Sequence, residues 1–143
     1  MPHITSRQWS DAIGLSSLAA LLTTGALLLL SPDYSQFPAA TCKAPRCFCE
    51  RPRLGALILQ PSNSWSAYGY VLVGFLMIVL ARASSWDSAF PRTATTTFGA
   101  TAIMVGIGSV LLHATLTLWG QFLDVFGMYL VGSFLLVLAV ARW

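Results

Sequence analysis

Charge is what this sequence has least of. Only 9% of its 143 residues are Asp, Glu, Lys or Arg, against about 25% in soluble domains. With 56% hydrophobic residues and a mean hydropathy of +0.71, that scarcity excludes a water-soluble globular domain. Intrinsic disorder is excluded too, because it requires low hydrophobicity. Three cysteines are too few for a disulfide scaffold. The net charge is only +3 and the basic residues form no stripe, so the pI near 9.0 reflects a shortage of acids. A nucleic-acid-binding module is thereby excluded. No strong internal repeat and no low-complexity tract is present. One membrane domain remains.

A bilayer core about 30 Å thick takes about 20 apolar helical residues to cross. Four stretches meet or approach this length, at about 13–30, 65–81, 94–118 and 122–141. The expected fold is therefore an all-α integral membrane bundle of about four transmembrane helices, over 13–143. A polar N-terminal lead covers 1–12, and a long loop with all three cysteines covers 31–63. Arg7 and the first apolar run also have a rival reading as a signal peptide, but the run exceeds the usual hydrophobic region of about 7–15 residues, which favours a span. An unbroken helix from Ala94 to Ala141 would be about 70 Å long, so the chain must reverse within it. Trp119–Gly120–Gln121 is the expected turn. Four crossings put Arg7, Arg82, Arg92 and Arg142 on one side and Lys43, Arg46, Arg51 and Arg53 on the other. That balance gives no orientation under the positive-inside rule.

The same parity brings chemistry together. The long loop, the start of the second span and the turn share one face of the membrane. His113 and Asp124 flank the turn, so they are expected at similar depth on adjacent antiparallel helices. Ionisable groups inside a span cost about 2.5–3.5 kcal/mol on insertion scales and are usually functional. Asp124 is the only acid in any span and His113 the only histidine. Ser109 lies one helical turn from His113 on the same face. Imidazole is the commonest metal ligand, a carboxylate can take a proton from bound water, and a hydroxyl can donate to an oxyanion. These roles fit metal-assisted hydrolysis of an amide or ester. Each residue also has a structural reading. Asp124 can favour the positive end of a helix dipole, His113 can bond Asp124 as an interhelical pair, and Ser109 can bond its own helix. His3, in the polar lead, carries no assignment.

At these residues the sequence resembles a known group. Ser109-x3-His113 followed by Asp124, within GSVLLHATLTLWGQFLDVFGMYL, resembles the alkaline ceramidase family, part of the CREST superfamily of membrane hydrolases. The upstream CFCERPRLGALILQPSNSWSAYGYVLVG resembles the family's segment leading into a helix. The likeness covers roughly Cys47 to Leu130 and leaves out the first span. It implies zinc-dependent hydrolysis of the amide bond of ceramide-like lipids reaching the site from the bilayer. It also implies His113 as a zinc ligand, Asp124 as the proton-transfer group and Ser109 as the oxyanion donor. Some members bind calcium, to which Glu50 and Asn63 are the counterparts. Here Arg51, Pro52 and Arg53 replace most of the acidic cluster, and Gln60 stands where an acid is found.

The departure is large. The family has about seven spans and two further zinc-binding histidines in an H-x3-H motif. No H-x3-H occurs here. The expectation is a chain that is the N-terminal part of such a hydrolase, completed by a C-terminal half. The rivals are a degenerate or receptor-like, non-catalytic multi-pass protein of the same superfamily, and a site completed by a second chain.

Cys42-x4-Cys47-x-Cys49 does not match the spacing of structural zinc sites. In an oxidising compartment, Cys42 pairs with Cys47 or with Cys49. Ser62 and Asn63 are the expected N-cap of the second span. Trp65, Tyr68 and Tyr70 fit an interfacial aromatic belt. Gly69, Gly74, Gly106, Gly108, Gly127 and Gly132 are expected at close helix contacts.

Overall fold

Thr5 and Gln8 form a reciprocal capping box. The Thr5 N–H donates to Gln8 Oε1 at 2.8 Å, and the Gln8 N–H donates to Thr5 Oγ1 at 3.3 Å. Two orphan donors are thereby satisfied, and helix α1 starts at once, spanning Ser6–Leu29. Residues 6–12 of the polar lead belong to this helix. Pro61 opens the second helix, α2 (Pro61–Arg82), because its missing N–H would have no partner in a first turn anyway. Helices α3 (Arg92–Thr115) and α4 (Leu118–Ala141) follow. The computed structural model describes residues 4–29, 33–42, 47–83, 91–141 and 143. His3, Lys43, Arg46 and Arg142 lie outside the described residues. Among the described residues four α-helices are long and apolar enough to cross a membrane, and the fold is an all-α four-helix membrane bundle.

The reversal between the last two helices is not at Gly120. Leu116 ends α3 in the left-handed conformation, at φ 50°, with its N–H on Leu112 O at 2.7 Å. Thr117 then caps α4, its hydroxyl accepting the Gly120 N–H at 3.3 Å. Gly120 sits inside α4, where it packs against α3. A Cβ there would stand 2.8 Å from Leu112 Cα. The glycine serves close helix approach, and a leucine takes the turn.

Each helix packs on the next in sequence, with α2 and α3 in the most extensive contact. Gly74 and Gly99 bring those two backbones together, since a Cβ on Gly74 would lie 2.5 Å from the Gly99 carbonyl oxygen. Small residues allow such approach where lipid removes the hydrophobic drive between helices. Gly106, Gly108 and Gly127 also lie at helix contacts, whereas Gly69 and Gly132 face open space.

The loop before α2 folds back over the α3–α4 hairpin. The last four carbonyls of a helix lack intrahelical partners, and leaving them bare near a membrane is costly. Here the Gln60 N–H donates to His113 O at 3.0 Å and the Leu59 N–H to Ala114 O at 2.9 Å. The Ala40 N–H donates to Leu116 O at 2.8 Å, and the Leu118 N–H donates to Pro38 O at 2.7 Å. Gln121 adds a side-chain tie, accepting the Thr41 N–H at 2.7 Å and donating to the Thr41 hydroxyl at 2.7 Å. Tyr34 packs with Leu27 and Ala114, and its hydroxyl donates to Leu57 O at 2.7 Å. Cys42 pairs with Cys47, with Cα atoms 5.6 Å apart, and Cys49 is free and exposed.

Candidate functional site

His113 lies in the last turn of α3, under the loop. Its Nδ1 is 2.7 Å from Gln60 Oε1. The Phe48 ring packs on it nearly perpendicularly, with centroids 4.6 Å apart. Gln60 is fully buried, and its Nε2 donates to the Glu50 carbonyl oxygen at 2.7 Å. Sequence reasoning attached no role to this glutamine beyond its standing where an acid was expected. The available signal was a polar residue immediately before Pro61, at the mouth of an apolar helix.

Asp124 is deeper than the sequence suggested. With the turn at Leu116, it falls nearly two turns into α4. Its backbone nitrogen is level with Gly108, where a Cβ would approach it to 2.8 Å. Helical side chains tilt toward their own N-terminus. His113 and Ser109 on α3 therefore lean into the membrane, while Asp124 on antiparallel α4 leans back toward the loop. The tilts close the difference in depth. The Asp124 carboxylate lies within electrostatic reach of the His113 imidazole, with the Ser109 hydroxyl as its neighbour. All three side chains are partly buried.

Glu50 and Asn63 are also brought together, by a helix cap. One Glu50 carboxylate oxygen accepts the Ser62 N–H at 2.9 Å and the other the Asn63 N–H at 2.8 Å. Ser62 and Asn63 are thus the capped residues rather than the cap, and Gln60 at the N-cap position makes no side-chain cap bond. A carboxylate from the loop meets the positive end of α2. Desolvation pushes the Glu50 carboxyl up, but the bonds from Asn63 and Ser62, with Arg53 nearby, outweigh it and hold the group below the usual glutamate range.

Ser64, one turn into α2, is 1% exposed, and its hydroxyl has no partner among the described residues. One turn of α2 separates it from Gln60 beside His113. The loop-side end of the α2–α3–α4 unit therefore concentrates polar groups in an otherwise apolar bundle. Among the described residues no group of three His, Cys, Asp or Glu is positioned to hold a metal. His113 and Asp124 can supply one nitrogen donor and one proton acceptor. No family model, curated protein or solved structure matches this chain.

Proposed function

We propose that this chain forms part of an alkaline-ceramidase-like membrane hydrolase that cleaves the amide bond of ceramide-like lipids with zinc. The reading rests on the sequence resemblance. The observation that carries it beyond resemblance is the convergence of His113, Asp124 and Ser109 across the α3–α4 hairpin. A catalytic zinc site takes three protein ligands and keeps a position for water. This chain's donors fit one ligand, His113, so the proposal includes two further ligands from another segment or a second chain. Calcium at Glu50 and Asn63 stays within the same proposal, at the mouth of α2.

When bound, zinc supplies Lewis-acid activation and lowers the pKa of a water. Asp124 accepts the proton of the attacking water at a carboxylate oxygen and returns it to the departing amine nitrogen. Ser109 donates its hydroxyl hydrogen to the amide oxygen as negative charge develops there. Phe48 and the buried Gln60 pack on the imidazole from the loop side, and the lipid substrate enters from the bilayer.

A second reading is a non-catalytic or receptor-like membrane protein of the same superfamily. The engagement of Glu50 and His113 in the loop scaffold favours it. One comparison separates the two. Zinc is measured in the purified protein and in His113→Ala, and ceramide hydrolysis is assayed on the complete gene product. The hydrolase reading expects zinc to be lost in His113→Ala. It expects Asp124→Asn to keep the metal and lose roughly 100-fold or more in rate. Equal trace zinc in both proteins removes the metal role of this chain.

A further inference from the structure

Four hydrogen bonds connect the cap of α2 to the imidazole of α3. The Glu50 carboxylate is pinned by the Ser62 and Asn63 N–H groups. The backbone carbonyl of the same Glu50 accepts the side-chain amide of Gln60 at 2.7 Å. The other end of that amide meets His113 Nδ1 at 2.7 Å. The polarity of this chain is dictated by chemistry. A backbone carbonyl only accepts, so the Gln60 atom facing Glu50 is the NH2 group. The atom facing His113 is then the amide oxygen, which also only accepts. The hydrogen between Gln60 and His113 must therefore be on Nδ1. Turning the Gln60 amide over would set two carbonyl oxygens against each other at 2.7 Å. Gln60 is 0% exposed, so water has no access to relieve that arrangement. The Gln60 backbone N–H also bonds His113 O at 3.0 Å, which fixes the two residues to each other twice.

We infer that Gln60 is a positioning residue that holds neutral His113 in its Nδ1–H tautomer and makes Nε2 the lone-pair nitrogen offered to the site. Metal-binding histidines characteristically donate their other ring N–H to an acceptor of this kind, which orients the ring and raises its basicity. The Phe48 ring packed against the imidazole restricts its rotation. The tautomer assignment stands on the hydrogen bonds alone. Only its use, Nε2 toward a metal or a transferring proton, rests on the hydrolase reading. Glu50 acts at one remove, since its cap places the carbonyl that orients Gln60.

The test is nitrogen NMR of the metal-free full chain in lipid nanodiscs, with labelled histidine and His3→Gln so that His113 is the sole imidazole. It is run at about pH 8, above the usual histidine pKa. The expected spectrum shows a protonated Nδ1 and a lone-pair Nε2. Gln60→Met keeps length and apolar packing but removes both polar ends, and it is expected to give a mixture of tautomers. A wild-type spectrum with the hydrogen on Nε2 overturns the inference, and so does an unchanged single Nδ1–H tautomer in a folded Gln60→Met. If that variant does not fold, the wild-type spectrum alone decides. Zinc content and lipid hydrolysis do not enter this readout, so the hydrolase reading can fail while the tautomer assignment stands, and the reverse.

Discussion

Gly108 and Asp124 meet back to back across the α3–α4 interface: a Cβ on the glycine would lie 2.8 Å from the aspartate's backbone nitrogen. Asp124 reaches His113 and Ser109 because α4 can come this close. Substituting Gly108 by alanine gains helix propensity, but the neighbouring atoms are backbone and cannot step aside. A net loss of about 1–3 kcal/mol is expected from overpacking. Thermal unfolding in detergent would measure it, and a Gly108→Ala protein as stable as the parent would contradict the packing.

Glu50 should make the acid limb of stability steeper. Its carboxyl is held below the ordinary glutamate value of 4.5 in the folded protein. Its contribution is therefore complete above that unfolded value and is lost as pH falls through the lower, folded one. Glu50→Gln should flatten stability against pH across this acid window, and between about pH 6 and 8 it should lower stability without changing its slope. Glu50→Ala, which removes the cap altogether, should cost about 0.5–2 kcal/mol at neutral pH. Denaturation midpoints across a pH series test both.

The hairpin invites a reversed pair of substitutions. Gly120→Ala should destabilise, because its Cβ would meet Leu112 Cα at 2.8 Å. Leu116→Gly should be tolerated, because glycine relieves a left-handed backbone that costs a non-glycine residue about 1–2 kcal/mol while losing only a partly buried side chain. Equal damage from the two would place the reversal wrongly.

Thiol counting checks the loop. The unreduced protein, unfolded in the presence of alkylating reagent, should take up label at Cys49 alone, and after reduction at all three cysteines. Peptide mass mapping should find Cys42 linked to Cys47. A Cys42–Cys49 link would require a different course for the loop beside Gln121.

Hydropathy along the chain was enough to read four spans and which loops share a face. Bilayer thickness sets span length, and parity needs no coordinates. It was also enough to place Ser109, His113 and Asp124 near one another, because a hairpin can only fold back on itself. The position of the hairpin was misread, because a glycine is an ordinary turn signal and also a helix-packing residue. Nothing local distinguishes the two uses at Gly120. Ser62 and Asn63 read as caps for a similar reason: their residue types suit that position, but a carboxylate distant in sequence occupies it.

From the sequence alone came the membrane class, the number of spans and the intramembrane imidazole and carboxylate, because these follow from composition and from distances measured along the chain. Tertiary structure decided that Leu116 turns the chain, that Cys42 chooses Cys47, that Glu50 caps α2 and that Gln60 grips His113. The last two outcomes depend on which polar groups meet when the loop before α2 folds over the bare ends of α2 and α3, and distances along the chain do not set that.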